Sequence, residues 1–323
     1  MDKETLSNYG WIVICVLVLA VMLALATPFG KFISGAIENT TTALFQTSKA
    51  GLGSAGIDAG ELVFGKQDVG AENPDTPYVP IVRSGIIPDG ATYTPNGGTA
   101  IIGNGTNTFP DTPQTGDTYE EGDYIYKCNQ YYNYNSWSSN PSQNGWGVKA
   151  KDTSKTTYGT ILSEIAGRPI TNMSFTFFNC TSLTTAPTIP SSVTNMKSTF
   201  WGCVSLTTAP EIPSNVTNMF DTFHNCTSLT TAPTIPNSVT NMSNTFTYCT
   251  SLTTAPAIPN SVTNMDSTFY NCTSLTGTIE INANPRSYDD CFASTREPIT
   301  LRGSSPILAE LADTSYDGNV IVG

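Results

Sequence analysis

A chain of 323 residues is long enough for two or three domains, yet only 39% of it is apolar and 12% charged, both low for an ordinary globular protein. A formal charge of −12 without any Lys/Arg cluster argues against nucleic acid as a partner, because phosphate binding needs a basic face. Thr, Asn, Ser, Gly and Pro fill the remainder; these favour turns over helix, so the expected fold class is mainly β with helix confined largely to the N-terminus.

The first predicted element, residues 1–50, is an N-terminal hydrophobic helix with an amphipathic extension. Trp11 to Thr27, WIVICVLVLAVMLALAT, is an uncharged run of 17 residues, at the short end of what spans a bilayer. Trp11, Ile12, Val13, Leu17, Leu19, Met22 and Leu25 are its candidate membrane or filament residues. Two fates fit the run. Ala24 to Ala26 could serve as a signal-peptide cleavage site, whereas Asp2 and Glu4 beside Lys3, and the length of the run, favour a retained helix. Past Pro28, the residues Phe32, Ile33, Ala36, Ile37, Leu44 and Phe45 can gather on one helical face. This layout resembles that of pilins, which implies a helix that packs in a membrane or a filament core. Gly10 could stand for their processing point, but Cys15 occupies the place of the glutamate usual five residues into the mature chain.

Residues 51–80 are rich in Gly, Ala and Asp and read as a linker, with one short strand at ELVFG. Residues 81–158 carry short alternating runs, ATYTP, TAIIG, DYIYKC and WGVKAKD, divided by the turn signals PDG, PNGG and EEGD. They predict a small β domain. Tyr124, Tyr126, Tyr131, Tyr132, Tyr134, Trp137 and Trp146 crowd it, and cross-strand pairing accounts for them better than a sugar-stacking platform. Asp117, Glu120, Glu121 and Asp123 lack calcium-loop spacing and read as an acidic solvated turn.

Residues 159–291 repeat one sentence. TFFNCTSLTTAPTIPSSVTNMKS begins at Thr176 and returns from Thr199, Thr222 and Thr245, with a decaying copy from Thr268 and a half copy, ITNMSF, from Ile170. The period is 23 residues. Such a period predicts a solenoid of about five repeats, in which each unit buries its apolar face only by stacking on its neighbours. Leu183, Ile189, Val193, Met196, Phe177 and their copies should fill the core. Pro187 and Pro190 flank the isoleucine and lack ladder donors, so the short strand is expected at SLTT, with VTNM as a second extended segment.

Three further columns have predicted tasks. Asn195, Asn218, Asn241 and Asn264, with Asn172, should form a ladder of stacked amides. Cys180, Cys203, Cys226, Cys249 and Cys272 read as buried thiols acting as small hydrophobes, which leaves Cys128 and Cys291 for a bridge. The varying column Phe178, Trp201, His224, Thr247 and Tyr270 is the candidate contact stripe. His224 is the only histidine and lies in that column, so neither a catalytic triad nor a histidine metal site is expected, and no enzyme activity, cofactor or metal.

The pattern TF-x-x-C-x-S-L, then IP, then VTNM resembles the BspA-like leucine-rich repeats of surface proteins, over roughly Gly159 to Cys291. That resemblance implies surface display and binding of host or neighbouring-cell proteins or glycans, without catalysis. Residues 292–323 should cap the solenoid with a short helix at SPILAELA and a last strand. The whole reads as a cell-surface adhesion or interaction protein held in a membrane by its N-terminal helix. The alternative is a pilin-like subunit, in which the helices self-assemble into an extracellular filament and the repeats decorate it.

Overall fold

The short runs of the β domain each have one apolar face, and burying those faces together makes a sheet. The computed structural model describes residues 80–139, 144–316 and 318–323, all within one of two compact units, Val69–Gly323. The predicted helix of residues 1–50 and nearly all of the 51–80 linker lie outside the described residues. Among the described residues no helix is long and apolar enough to cross a membrane.

The strands in chain order are β1 (Val82–Arg83), β2 (Thr92–Thr94), β3 (Ile101–Ile102), β4 (Thr118–Glu121), β5 (Tyr124–Cys128), β6 (Gln130–Asn133), β7 (Ser136–Ser139), β8 (Trp146–Ala150), β9 (Glu164–Ile165) and β10 (Arg168–Asn172). Eight of them form one sheet in the order β1, β9, β10, β8, β5, β4, β2, β3, while β6 and β7 make a separate hairpin. β9 and β10, although within the repeat stretch 159–291, thus belong to the same sheet as residues 82–150.

Alternation in β5 turns Tyr124, Tyr126 and Cys128 inward and Ile125 and Lys127 outward. Tyr93, Tyr119 and Trp146 join the inner face, and Trp146 Nε1 donates to the Ile165 carbonyl at 3.0 Å. Tyr124, Tyr126 and Trp146 are therefore core residues and could not form a sugar platform. The acidic residues are held one by one. Arg83 pairs with Glu121 at 2.6 Å, Lys151 with Glu120 at 3.3 Å and Lys155 with Asp123 at 2.5 Å. Buried Asp117 accepts the Tyr93 hydroxyl and the Asn96 and Gln114 amides.

The sheet continues directly into the repeats. Ala150 N donates to Thr176 O, and Thr176 Oγ1 donates to Val148 O at 2.8 Å, so β8 serves as the wall on which the first coil stacks. From there each copy makes one coil. The N–H groups of Met173, Phe175, Phe177 and Asn179 donate to the carbonyls of Asn195, Lys197, Thr199 and Trp201 at 2.8–3.0 Å, while Thr176, Phe178 and Cys180 donate within their own turn. Two residues per turn take the left-handed conformation, Phe175 and Asn179 in one coil and Asp221 and Asn225 two coils on. This alternation sends every second donor to the next coil without forming a regular strand.

The expected strand at SLTT is reduced to single parallel rungs, Thr185 to Thr208 to Thr231 to Thr254, and VTNM to rungs through Asn172, Asn195, Asn218, Asn241 and Asn264. The prolines explain the loss, because they remove donors on either side of the isoleucine. Each asparagine of the ladder accepts the N–H two residues on, Lys197 N to Asn195 Oδ1 at 3.0 Å for example. The amides thus close the entry to each turn.

Inside, Phe177, Phe200, Phe223, Phe246, Phe269 and Phe292 are fully buried and stack ring on ring, with centroids 5.3–5.7 Å apart and planes within 11°. Beside them runs a buried threonine column that the apolar pattern of the repeat does not mark. Thr199 Oγ1, for instance, contacts the Met173 and Met196 carbonyls at 2.9 and 2.8 Å, tying two coils together. Past the last coil, β11 (Gly277–Glu280), β12 (Ile299–Arg302) and β13 (Val320–Val322) form a parallel sheet, with helix α1 (Leu308–Asp313) leading into β13.

Candidate functional site

The turns between VTNM and the cysteine form the outer edge of every coil, and their side chains alternate between core and solvent. Phe177 and Cys180 point in; Phe178, Trp201, His224 and Tyr270 stay partly exposed. Phe178 and Trp201 stack at 4.7 Å and 14°, and Trp201 and His224 at 5.3 Å and 19°. His224 also lies 3.2 Å from Asp221.

At the fourth coil the ridge leaves the predicted column. Thr247 is buried and its Oγ1 donates to Ser267 O at 2.5 Å, so it presents nothing to a partner. Tyr248 takes its place, 41% exposed, 5.8 Å from His224 and 5.5 Å from Tyr270. The aromatic residue has moved one position along the chain, as TFTYC against TFHNC could have shown. Tyr134 at the tip of the β6–β7 hairpin extends the other end, meeting Phe178 edge-on at 5.1 Å. Nothing in the repeat could have announced that contact. Phe175 and Phe220 lie alongside with Lys197 between them, its Nζ 5.8 and 5.3 Å from their ring centres.

Tyr248 sits at φ 61°, where the equivalent positions hold Asn179, Gly202, Asn225, Asn271 and Ser294. A bulky residue in the left-handed region carries a cost that asparagine largely avoids. Tyr248→Asn is expected to raise stability by about 1 kcal/mol. Denaturant unfolding checks this, and an unchanged or lower midpoint would show that the tyrosine is at ease there.

The cysteine column lies on the inner side of the same turns. Cys180, Cys203, Cys226, Cys249 and Cys272 are fully buried, and the last four donate to a phenylalanine carbonyl of the preceding coil at 3.1–3.2 Å. Burial pushes the Cys180 thiol up to about 11 and the Cys249 thiol to about 12, and raises the others well above the usual range. Cys128 and Cys291, left for a bridge, are both buried and free. Cys291 precedes stacked Phe292 and so occupies the buried threonine column, with Thr295 in the cysteine place. Among the described residues no group of three His, Cys, Asp or Glu could hold a metal.

A stack of near-identical coils with a leucine-lined core and an aromatic outer edge defines a leucine-rich-repeat-type solenoid. Residues 170–276, about a third of the chain, match six copies of the BspA type leucine rich repeat region. Among solved structures, a leucine rich repeat protein of T. pallidum is 22% identical with a TM-score of 0.41, covering 55% of this chain and 90% of that one. A leucine rich cell surface protein of Faecalibacterium prausnitzii A2-165 is 23% identical with a TM-score of 0.37, covering 60% of this chain and 56% of that one. No curated protein matches this chain.

Proposed function

We propose that the chain is a non-enzymatic cell-surface interaction protein, held in the membrane by the apolar run at residues 11–27, that grips protein partners with its aromatic outer ridge. The observation that carries this reading is the ridge itself, from Tyr134 through Phe178, Trp201 and His224 to Tyr248 and Tyr270. Aromatic side chains supply large contact area at low entropic cost and dominate binding hot spots. The stacking geometry favours protein over glycan. Sugar rings pack on aromatic faces, whereas Phe178, Trp201 and His224 spend their faces on one another and offer edges to solvent.

Full-length protein incorporated in liposomes, applied to matrix proteins, whole cells and glycans in parallel, tests the reading. Trp201→Ala is expected to weaken protein or cell binding about thirty-fold, the loss of one hot spot of about 2 kcal/mol. Binding confined to glycans and indifferent to Trp201→Ala would sink it. Ordered fibres of this chain in native envelope preparations would move the assignment to the filament subunit.

A further inference from the structure

The outer edge of the coils has an electrical direction. One file of side chains runs Ser174, Lys197, Phe220, Ser243, Asp266 and Asp289, its order fixed by hydrogen bonds from each following residue to the next member's carbonyl, Phe175 N to Lys197 O through Ser267 N to Asp289 O. Cations gather at its start. Lys197 rests between two phenylalanine rings, and on the adjoining outer face of the sheet Lys149 Nζ lies 4.0 Å above the Tyr132 ring and Lys127 Nζ 5.8 Å from that of Trp137. Among the described residues none of these three lysines pairs with a carboxylate. Anions gather at its end, where Asp266, Asp289 and Asp290 follow one another and Asp289 is exposed. Aromatic residues fill the middle.

We propose that this face recognises a second copy of the same chain, the two solenoids meeting edge to edge and antiparallel about a two-fold axis. This rests on the reading of the ridge as a protein-binding surface and names its partner. Ser243 lies midway between Lys197 and Asp289, two coils from each, so an axis through the fourth coil brings each copy's Lys197 and Trp201 against the other's Asp289 and Asp290. The same axis sets Phe220 and His224 against the partner's Asp266 and Tyr270. Small Ser243 and Asn244 leave room at the centre, and strained Tyr248 meets its own image there. Charge complementarity at both ends fixes the antiparallel register, since a parallel pair would set like charges together.

Beads coated with the full-length protein report this as clumping. Wild-type beads should clump, and more weakly as salt rises. Lys197→Glu or Asp289→Lys alone should each reduce self-association about ten-fold or more. The two changes combined in one chain, or a mixture of the two single variants, should restore it; both positions are at the surface, and circular dichroism confirms folding. Wild-type beads that stay dispersed, or a reversal that restores nothing, would overturn the proposal. A protein that stays monomeric yet binds other proteins through Trp201 loses only this inference, whereas one with no Trp201-dependent binding loses the reading beneath it as well.

Discussion

Phe223→Ala is expected to remove about 3–5 kcal/mol of stability, a large share of what holds a domain of this kind together. The ring is fully buried and stacked between Phe200 and Phe246, 5.5 and 5.7 Å away and within 4° of parallel. Truncation therefore leaves two phenylalanine faces bare as well as a hole. The flanking turns cannot collapse into it, because their backbones are pinned coil to coil by Phe200 N to Thr222 O and Phe223 N to Thr245 O. In a solenoid each coil touches only its neighbours, so the damage should stay local. Amide exchange should accelerate from about Met196 to Phe246 while Tyr126 and Val148 in the sheet keep their protection. Uniform acceleration across both regions would mean that sheet and coils open as one unit. Changing His224 to alanine one residue away, on the partly exposed side, should cost far less.

Alkali should dismantle the array over a narrow range. An unfolded thiol ionises near pH 8.5, while burial holds the column thiols neutral well above that. Below that pH both states are protonated and the thiols leave stability unchanged. Above it the unfolded chain releases protons that the folded chain retains, so stability falls with rising pH until the folded thiols themselves ionise. The slope approaches about 1.4 kcal/mol per pH unit for each thiol. For the five column cysteines and Cys291 together, roughly one and a half units above the unfolded value removes about 12 kcal/mol, as much as most domains possess. Unfolding near pH 10 is the expected result, followed by circular dichroism. Replacing column cysteines by serine, which keeps a donor for the phenylalanine carbonyls but does not ionise there, should flatten the profile step by step. A profile equally steep without the thiols would assign the effect to the tyrosines Tyr93, Tyr119, Tyr124 and Tyr158, whose hydroxyls burial also raises.

The period of 23 made the core columns readable, because apolar residues that return at one interval must face one interior. Leu183, Val193, Met196 and Phe177 needed no more than that. Thr199 was harder. A threonine in a threonine-rich chain gives no sign that its hydroxyl is sealed between two methionine carbonyls. The loss of strand at SLTT goes with Pro187, two residues past the Thr185 rung, which has no N–H to carry the ladder on. In the ridge, Phe178, Trp201 and His224 were visible as a varying column. Tyr248 was legible as a one-residue shift, TFTYC against TFHNC, whereas Tyr134 lies 43 intervening residues before Phe178, a distance that no local pattern bridges.

Because every coil offers the next the same rungs, Thr185 to Thr208 and Asn195 to Asn218 alike, inserting or deleting one unit leaves all remaining junctions intact. Near-identical tandem sequences are also where replication slips, so the number of units can drift between lineages at little structural cost. In an antiparallel pair of such molecules that number sets the distance from Lys197 to Asp289. Two chains of unequal count cannot bring both ends into register at once.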